Sequence, residues 1–188
     1  TNPSTGKMGI SIANECARRG AEVILVSSVD NDTISSKVKK IKITSTNDMF
    51  EAVKNNFKDC DFIIKAAAVS DYTPVQVFDK KVKKQEGNLT IEFQRTQDIL
   101  KYVGDNKTDK QKVIGFAAET NNLIEYAKEK IVKKNLDFIV ANDISKKDIG
   151  FGSDDNEVYI IDKHDNIKKI DKSNKNNIAK AIVDEISK

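Results

Sequence analysis

The stretch that decides the fold is VIGFAAETNNLIEYAKEKIVKKNLDFIVANDI, residues 113–144. It opens with a short, almost wholly apolar run. Fifteen residues of helical periodicity follow, and a second apolar run of strand length, LDFIVANDI, closes the stretch. Strands that are apolar on both faces belong in a sheet covered on both sides, and the intervening helix makes this a strand–helix–strand unit.

The same alternation extends in both directions. Upstream, residues 9–19 carry apolar side chains at Ile10, Ile12, Ala13, Cys16 and Ala17, one stripe of a helix, and Gly20 follows where a helix C-terminus favours positive φ. AEVILVSS (21–28) and KVKKIKIT (37–44) read as strands. DMFEAVKNNF (48–57) reads as an amphipathic helix capped by Asn47 or Asp48, and DFIIKAAAVSDY (61–72) as a strand running into small residues. Residues 73–88 form a long polar excursion. LTIEFQRT (89–96) alternates as a strand does, and TQDILKYVGD (96–105) is a short helix capped by Thr96. Downstream, EVYIIDKHDNIKKID (157–171) is a hairpin turning at residues 163–166, and NNIAKAIVDEIS (176–187) a closing helix. The expected architecture is a doubly wound, Rossmann-like α/β fold. Its sheet is mainly parallel with helices on both faces and ends in an antiparallel hairpin, all within a single domain over 1–188.

Composition narrows the chemistry. The 188 residues hold two cysteines, Cys16 and Cys60, and one histidine, His164, too few for a thiolate–imidazole zinc cage and without a Cys-x-x-Cys pair. His164 lies in a polar turn, which disfavours a histidine-based nucleophilic triad. Lys+Arg number 32 against 29 Asp+Glu, a balance without the one-signed face of a nucleic-acid binder. No apolar stretch approaches the roughly 20 residues of a membrane span, and a cytoplasmic protein is expected.

In an open α/β sheet, ligands gather at the carboxyl ends of the strands, and four segments fall there. NPSTGKMG (2–9) precedes a helix and resembles an anion cradle, or simply a capped helix start. AAAVSDY (66–72) lets a bulky ligand approach the backbone and offers Asp71, or else packs a helix tightly. DKKVKK (79–84) is a mobile arm for phosphates or a solvated charge run. GFAAET (115–120) is joined by Lys130 and Lys134, one turn apart on the following helix. Together they describe a crevice rich in amides and lysines, suited to an anionic, multiply phosphorylated ligand with Mg²⁺ carried by its phosphates. Ser27 and Ser28 stand where a dinucleotide-binding unit places an acidic residue, and the glycine spacing does not fit GxGxxG.

NPSTGKMG with ANECARRGAEVILVSS, AAAVSDYTP with KKVKK, VIGFAAET, and LDFIVANDIS with GFGSDDNEV together resemble phosphopantothenate–cysteine ligase, the ligase half of the bacterial bifunctional coenzyme A biosynthesis flavoprotein. The resemblance runs through nearly the whole chain in order. It implies a CTP-using enzyme: 4′-phosphopantothenate attacks the α-phosphate of CTP to give an acyl-cytidylate and pyrophosphate, and cysteine then displaces CMP. By the same resemblance Asn2 holds the acyl carbonyl and Lys81 closes on the phosphates. Ser4, Thr5 and Gly6 cradle phosphate, and Ala66, Ala67, Ala68 and Asp71 contact the nucleotide. So do Gln97, Asp98, Ile99 and Leu100, together with Phe116, Lys130 and Lys134. Asn142 is a packing or substrate residue. Family members have a further strand, a glycine-rich turn and an arginine ahead of Asn2, commonly a proline where Gln97 stands, and a fused flavin-binding decarboxylase half. These features are not in this sequence, so no flavin is expected in this domain. A homodimer is implied, as are 4′-phosphopantothenate, cysteine and CTP as ligands, and neither nucleic acid nor membrane. Two rivals stand beside this reading: a nucleotide-binding dimerisation module without turnover, and a Rossmann-like oxidoreductase.

Overall fold

The computed structural model describes residues 5–76, 87–119, 121–143 and 155–188. Five helices and nine strands alternate along them. In order they are α1 (Lys7–Arg18), β1 (Val23–Ser27), β2 (Val38–Lys42), α2 (Thr46–Asn56), β3 (Phe62–Lys65), β4 (Tyr72–Pro74), β5 (Phe93–Arg95), α3 (Ile99–Asn106), β6 (Lys112–Glu119), α4 (Leu123–Lys134), β7 (Phe138–Asp143), β8 (Asp155–Asp162), β9 (Ile167–Asn174) and α5 (Lys175–Ile186). The main sheet runs β3-β6-β7-β8-β9: the first three strands are mutually parallel, and β8 and β9 add on antiparallel as the expected hairpin.

Alternation along the strands explains the two helical layers, because successive side chains point to opposite faces. Val113, Ala117, Ile139, Ala141 and Ile161 pack with Leu100 and Val103 of α3 and Ala127 and Ile131 of α4. Ile114, Val140, Val158 and Ile160, an odd number of positions away on the same strands, pack on the other face with Ile12 of α1 and Ile178 and Ile182 of α5. The fold is therefore doubly wound, as the sequence implies.

Four details differ from expectation. Strands β1 and β2 pair in parallel with each other but form a separate two-stranded sheet, and among the described residues no strand bridges β1 to β3. The run 61–72 is not one strand. β3 ends at Lys65, Ala66–Ala68 leave the sheet, and β4 pairs antiparallel with β5 in a small ribbon, to which LTIEFQRT contributes only its last turn of strand. Ser45, in extended backbone, caps α2 in place of Asn47 or Asp48; it forms a capping box in which its side chain accepts from the Asp48 amide and Asp48 answers the Ser45 amide. The cap of α3 is Asp98, which accepts from the Lys101 amide at 3.1 Å, while Thr96 Oγ1 donates to the Ser70 carbonyl at 2.6 Å.

Two close approaches fix α3 against α4. A Cβ built at Gly104 would lie 1.9 Å from the Lys134 carbonyl oxygen, so only glycine lets the helices come this near. Asn135 ends α4 in the left-handed conformation and donates its side-chain amide to the Gly104 carbonyl at 2.7 Å. At the amino ends of the parallel strands, the buried Asp137 carboxylate accepts from Lys107 Nζ at 2.5 Å, the Val113 amide at 2.9 Å and Lys163 Nζ at 2.9 Å. Burial alone would raise its pKa; these three donors outweigh burial and hold it below the usual carboxylate value.

Candidate nucleotide site

The carboxyl ends of β3 and β6 face the start of α3 and the long side chains of α4. Thr96, just ahead of α3, ties this corner together: its amide donates to the Asp71 carbonyl at 3.0 Å and its hydroxyl to that of Ser70. The segment 66–71 and the run 97–100, far apart in sequence, are thereby stitched side by side. The start of α1 approaches from the third side. Gly6 caps it in the left-handed conformation (φ 72°), and a Cβ on Gly9 would stand 3.8 Å from the Ala66 methyl. The first turn of α1 thus lies against Ala66 through Gly9, with the positive end of the α1 dipole beside it.

Charge concentrates on the α3–α4 side. Lys134 Nζ lies 3.0 Å from an Asp98 carboxylate oxygen. Burial would raise the Asp98 pKa, but the Lys101 amide and the Lys134 ammonium outweigh it and hold the carboxyl below its ordinary value. Lys130 sits one turn earlier on the same face of α4.

A residue that the sequence reading passed over also belongs here. Lys65 closes β3, and its ammonium donates to the Ala67 carbonyl at 3.2 Å; among the described residues no carboxylate is within ion-pair distance of it. Burial is the largest cause lowering its pKa, followed by repulsion from Lys134; Lys130 adds to this, while Asp98 and Asp71 oppose it. The signal was a lysine ending an otherwise apolar FIIK strand directly before AAA.

The remaining sequence-assigned residues divide clearly. Ala67, Ala68, Asp71 and Gln97 are exposed, and Ala66 is half-buried. Ile99 and Leu100 are core residues with only 3% and 4% of their surface exposed, so any ligand contact there is through backbone. Phe116 packs its ring toward the cluster shared by α1 and α5. Asn142, on β7 between Ala118 and Val158, has a buried Oδ1 without a hydrogen-bond partner among the described residues. Asn2, Ser4 and Lys81 lie outside the described residues. No group of three Asp, Glu, His or Cys residues able to hold a metal occurs among the described residues, and no helix there is long and apolar enough to cross a membrane.

The DNA/pantothenate metabolism flavoprotein C-terminal domain family matches residues 1–188. The chain belongs to that family. It is 44% identical over its full length to the coenzyme A biosynthesis bifunctional protein CoaBC of Bacillus subtilis (strain 168), covering 46% of that protein, and 42% identical over 163 residues to CoaBC of Escherichia coli (strain K12), covering 85% of this chain and 40% of that one. The chain therefore spans about half the length of the curated relatives it matches. Among solved structures, the crystal structure of the C-terminal domain of CoaBC superposes with a TM-score of 0.80 at 38% identity, over 98% of this chain and 83% of that one. The DNA/pantothenate metabolism flavoprotein from Streptococcus pneumoniae, 22% identical, shares the fold at the same TM-score over 99% of this chain and 89% of its own.

Proposed function

We propose that this family member is a ligase of coenzyme A biosynthesis that joins 4′-phosphopantothenate to cysteine at the expense of CTP. The observation that carries the reading is the full-length 44% identity to a coenzyme A biosynthesis protein. The site supports it: a carboxyl-end cluster of Lys65, Lys130, Lys134, Asp98 and Asp71 near a helix N-terminus suits a polyanionic nucleotide.

In the first step the substrate carboxylate oxygen bonds to the α-phosphorus of CTP and the bond to the pyrophosphate oxygen breaks. In the second, the cysteine amine bonds to the acyl carbon, CMP leaves and the amine loses its proton. Negative charge grows on the departing pyrophosphate and then on the carbonyl oxygen, so fixed donors act on both steps without a covalent enzyme intermediate. Lys130, Lys134 and the α1 amides serve the phosphates. Asn2 serves the carbonyl, because an amide donates without adding charge, and Lys81 closes on the phosphates during activation. The side chains of this cluster are predominantly cationic, so Mg²⁺ would be carried by the CTP phosphates and would neutralise part of their charge. Exposed Tyr72, Val75, Leu89, Ile91 and Phe93 around the β4–β5 ribbon favour self-association, and a homodimer is part of the reading.

A second reading is nucleotide binding without turnover. Mass spectrometry separates the two. With CTP, Mg²⁺, 4′-phosphopantothenate and cysteine the product 4′-phosphopantothenoylcysteine is expected, and withholding cysteine should leave the acyl-cytidylate. Binding of CTP with neither species formed would support the second reading.

A further inference from the structure

We infer that Lys65 is a phosphate-binding residue of this site, donating its ammonium to the polyphosphate chain of the bound nucleotide beside Lys130 and Lys134. The inference rests on the nucleotide-binding reading above and adds to it a residue on a different element.

The argument starts from cost. A partly buried ammonium loses hydration, and proteins ordinarily offset this with a carboxylate or several hydrogen bonds. Among the described residues Lys65 has one neutral acceptor, the Ala67 carbonyl at 3.2 Å. The nearest candidate counter-ion, Asp98, is already held by Lys134 at 3.0 Å and by the Lys101 amide at 3.1 Å. Asp71 is close enough to be felt but makes no ion pair with Lys65. The charge of Lys65 is repelled by Lys134 and Lys130 on α4 and offset in part by Asp98 and Asp71.

Among the described residues, three ammonium groups stand against two carboxylates; with Lys134 and Asp98 paired to each other, Lys65 and Lys130 against Asp71 leave a local excess of positive charge. That arrangement is unfavourable in the unliganded protein and favourable once an anion of high charge arrives. A carboxylate or single phosphate monoester would satisfy one or two of the three; a di- or triphosphate chain satisfies all of them. The geometry favours the same ligand. β3 pairs in parallel with β6, Lys65 lying opposite Gly115, so the side chain leaves the sheet at the carboxyl edge where ligands gather in open α/β folds. The alanines that follow carry nothing large enough to shield the ammonium.

The test compares the wild-type chain with Lys65→Met and Lys65→Arg, titrating CTP, CMP and inorganic pyrophosphate calorimetrically with Mg²⁺ present. Lys65→Met is expected to weaken CTP and pyrophosphate about 10- to 100-fold, the value of a lost charge-assisted hydrogen bond, and CMP by less than about threefold. Lys65→Arg keeps the charge and should recover most of the affinity. Methionine fills the same volume without a charge to desolvate, so the unliganded variant should melt no lower than wild type. If wild type binds CTP and Lys65→Met binds CTP and pyrophosphate equally well, the inference fails while the nucleotide reading stands. Pyrophosphate binding that Lys65→Met weakens, with no CTP binding by wild type, would sink the nucleotide reading and keep the phosphate role. Wild type binding neither ligand overturns both. A lower melting temperature in Lys65→Met with CMP weakened as much as CTP would mark a structural lysine and overturn the inference.

Discussion

Replacing Asp137 with alanine removes the acceptor that joins the loop before β6, the first pair of β6 and the β8–β9 turn. In the folded protein its carboxylate is 7% exposed, takes Lys107 Nζ at 2.5 Å and Lys163 Nζ at 2.9 Å, and accepts the Val113 amide at 2.9 Å. Removing one partner of a buried ion pair costs about 3–5 kcal/mol, because the other is left desolvated. Here the loss is shared unequally. The Lys163 side chain is 53% exposed and regains water, whereas that of Lys107, at 11%, does not, so the expected cost is near the lower figure. At about 2–4 °C per kcal/mol for a domain of this size, about 3 kcal/mol lowers Tm by about 6–12 °C. Lys163→Met, which breaks only the exposed arm, should cost no more than about 1 kcal/mol.

The effect has a defined pH dependence. Folding depresses the Asp137 pKa, so its stabilisation is complete above the unfolded carboxyl value of roughly 3.9 and is lost as pH falls through the lower folded value. Wild type and Asp137→Ala should therefore converge in stability as the pH is lowered through that range. Thermal unfolding followed by far-ultraviolet circular dichroism at pH 7 and at a series of lower values measures both quantities. The reasoning is refuted if Asp137→Ala melts within about 2 °C of wild type at pH 7, where the ion pairs are fully formed. CTP affinity below the transition should be unchanged, since Asp137 immediately precedes β7, at the edge opposite the site.

Three further outcomes follow from particular residues. Gly104→Ala should cost about 1–3 kcal/mol despite the better helix propensity of alanine, because its methyl meets the Lys134 carbonyl; chemical denaturation reads the loss, and CTP affinity should fall with it as Lys134 is displaced. Asn142→Ala should change stability by less than about 1 kcal/mol, since among the described residues the buried Oδ1 has no bond to lose, yet raise KM for phosphopantothenate or cysteine; a stability loss without a KM effect would make Asn142 a packing residue. The Glu15 carboxyl, bonded by Arg18 and Arg19, should titrate at about 2 by NMR, and Arg18→Gln should raise that value.

The helices and their faces were legible because each carries a stripe of apolar residues at helical spacing, and Lys130 and Lys134 could be placed on one face by counting. The caps at Ser45 and Asp98 were displaced by two or three positions, since several capping residues stand together in TSTND and RTQD and only backbone conformation selects among them. The break after Lys65 was hidden because alanines suit a strand as well as an exit from one. What periodicity could not carry is the pairing of Lys134 with Asp98. It depends on Gly104 meeting a carbonyl 30 residues later in the chain, a contact with no local trace. Ile99 and Leu100 show the converse: resemblance placed them at the nucleotide, and their side chains went to the core.

The most direct test of the central claim is pyrophosphate release from CTP with Mg²⁺, measured with and without 4′-phosphopantothenate and cysteine and repeated with ATP. The account expects release that requires 4′-phosphopantothenate, stops near one equivalent per site without cysteine, turns over when cysteine is added and is faster with CTP. Release that ignores 4′-phosphopantothenate, or none from a folded protein that binds CTP, would contradict it.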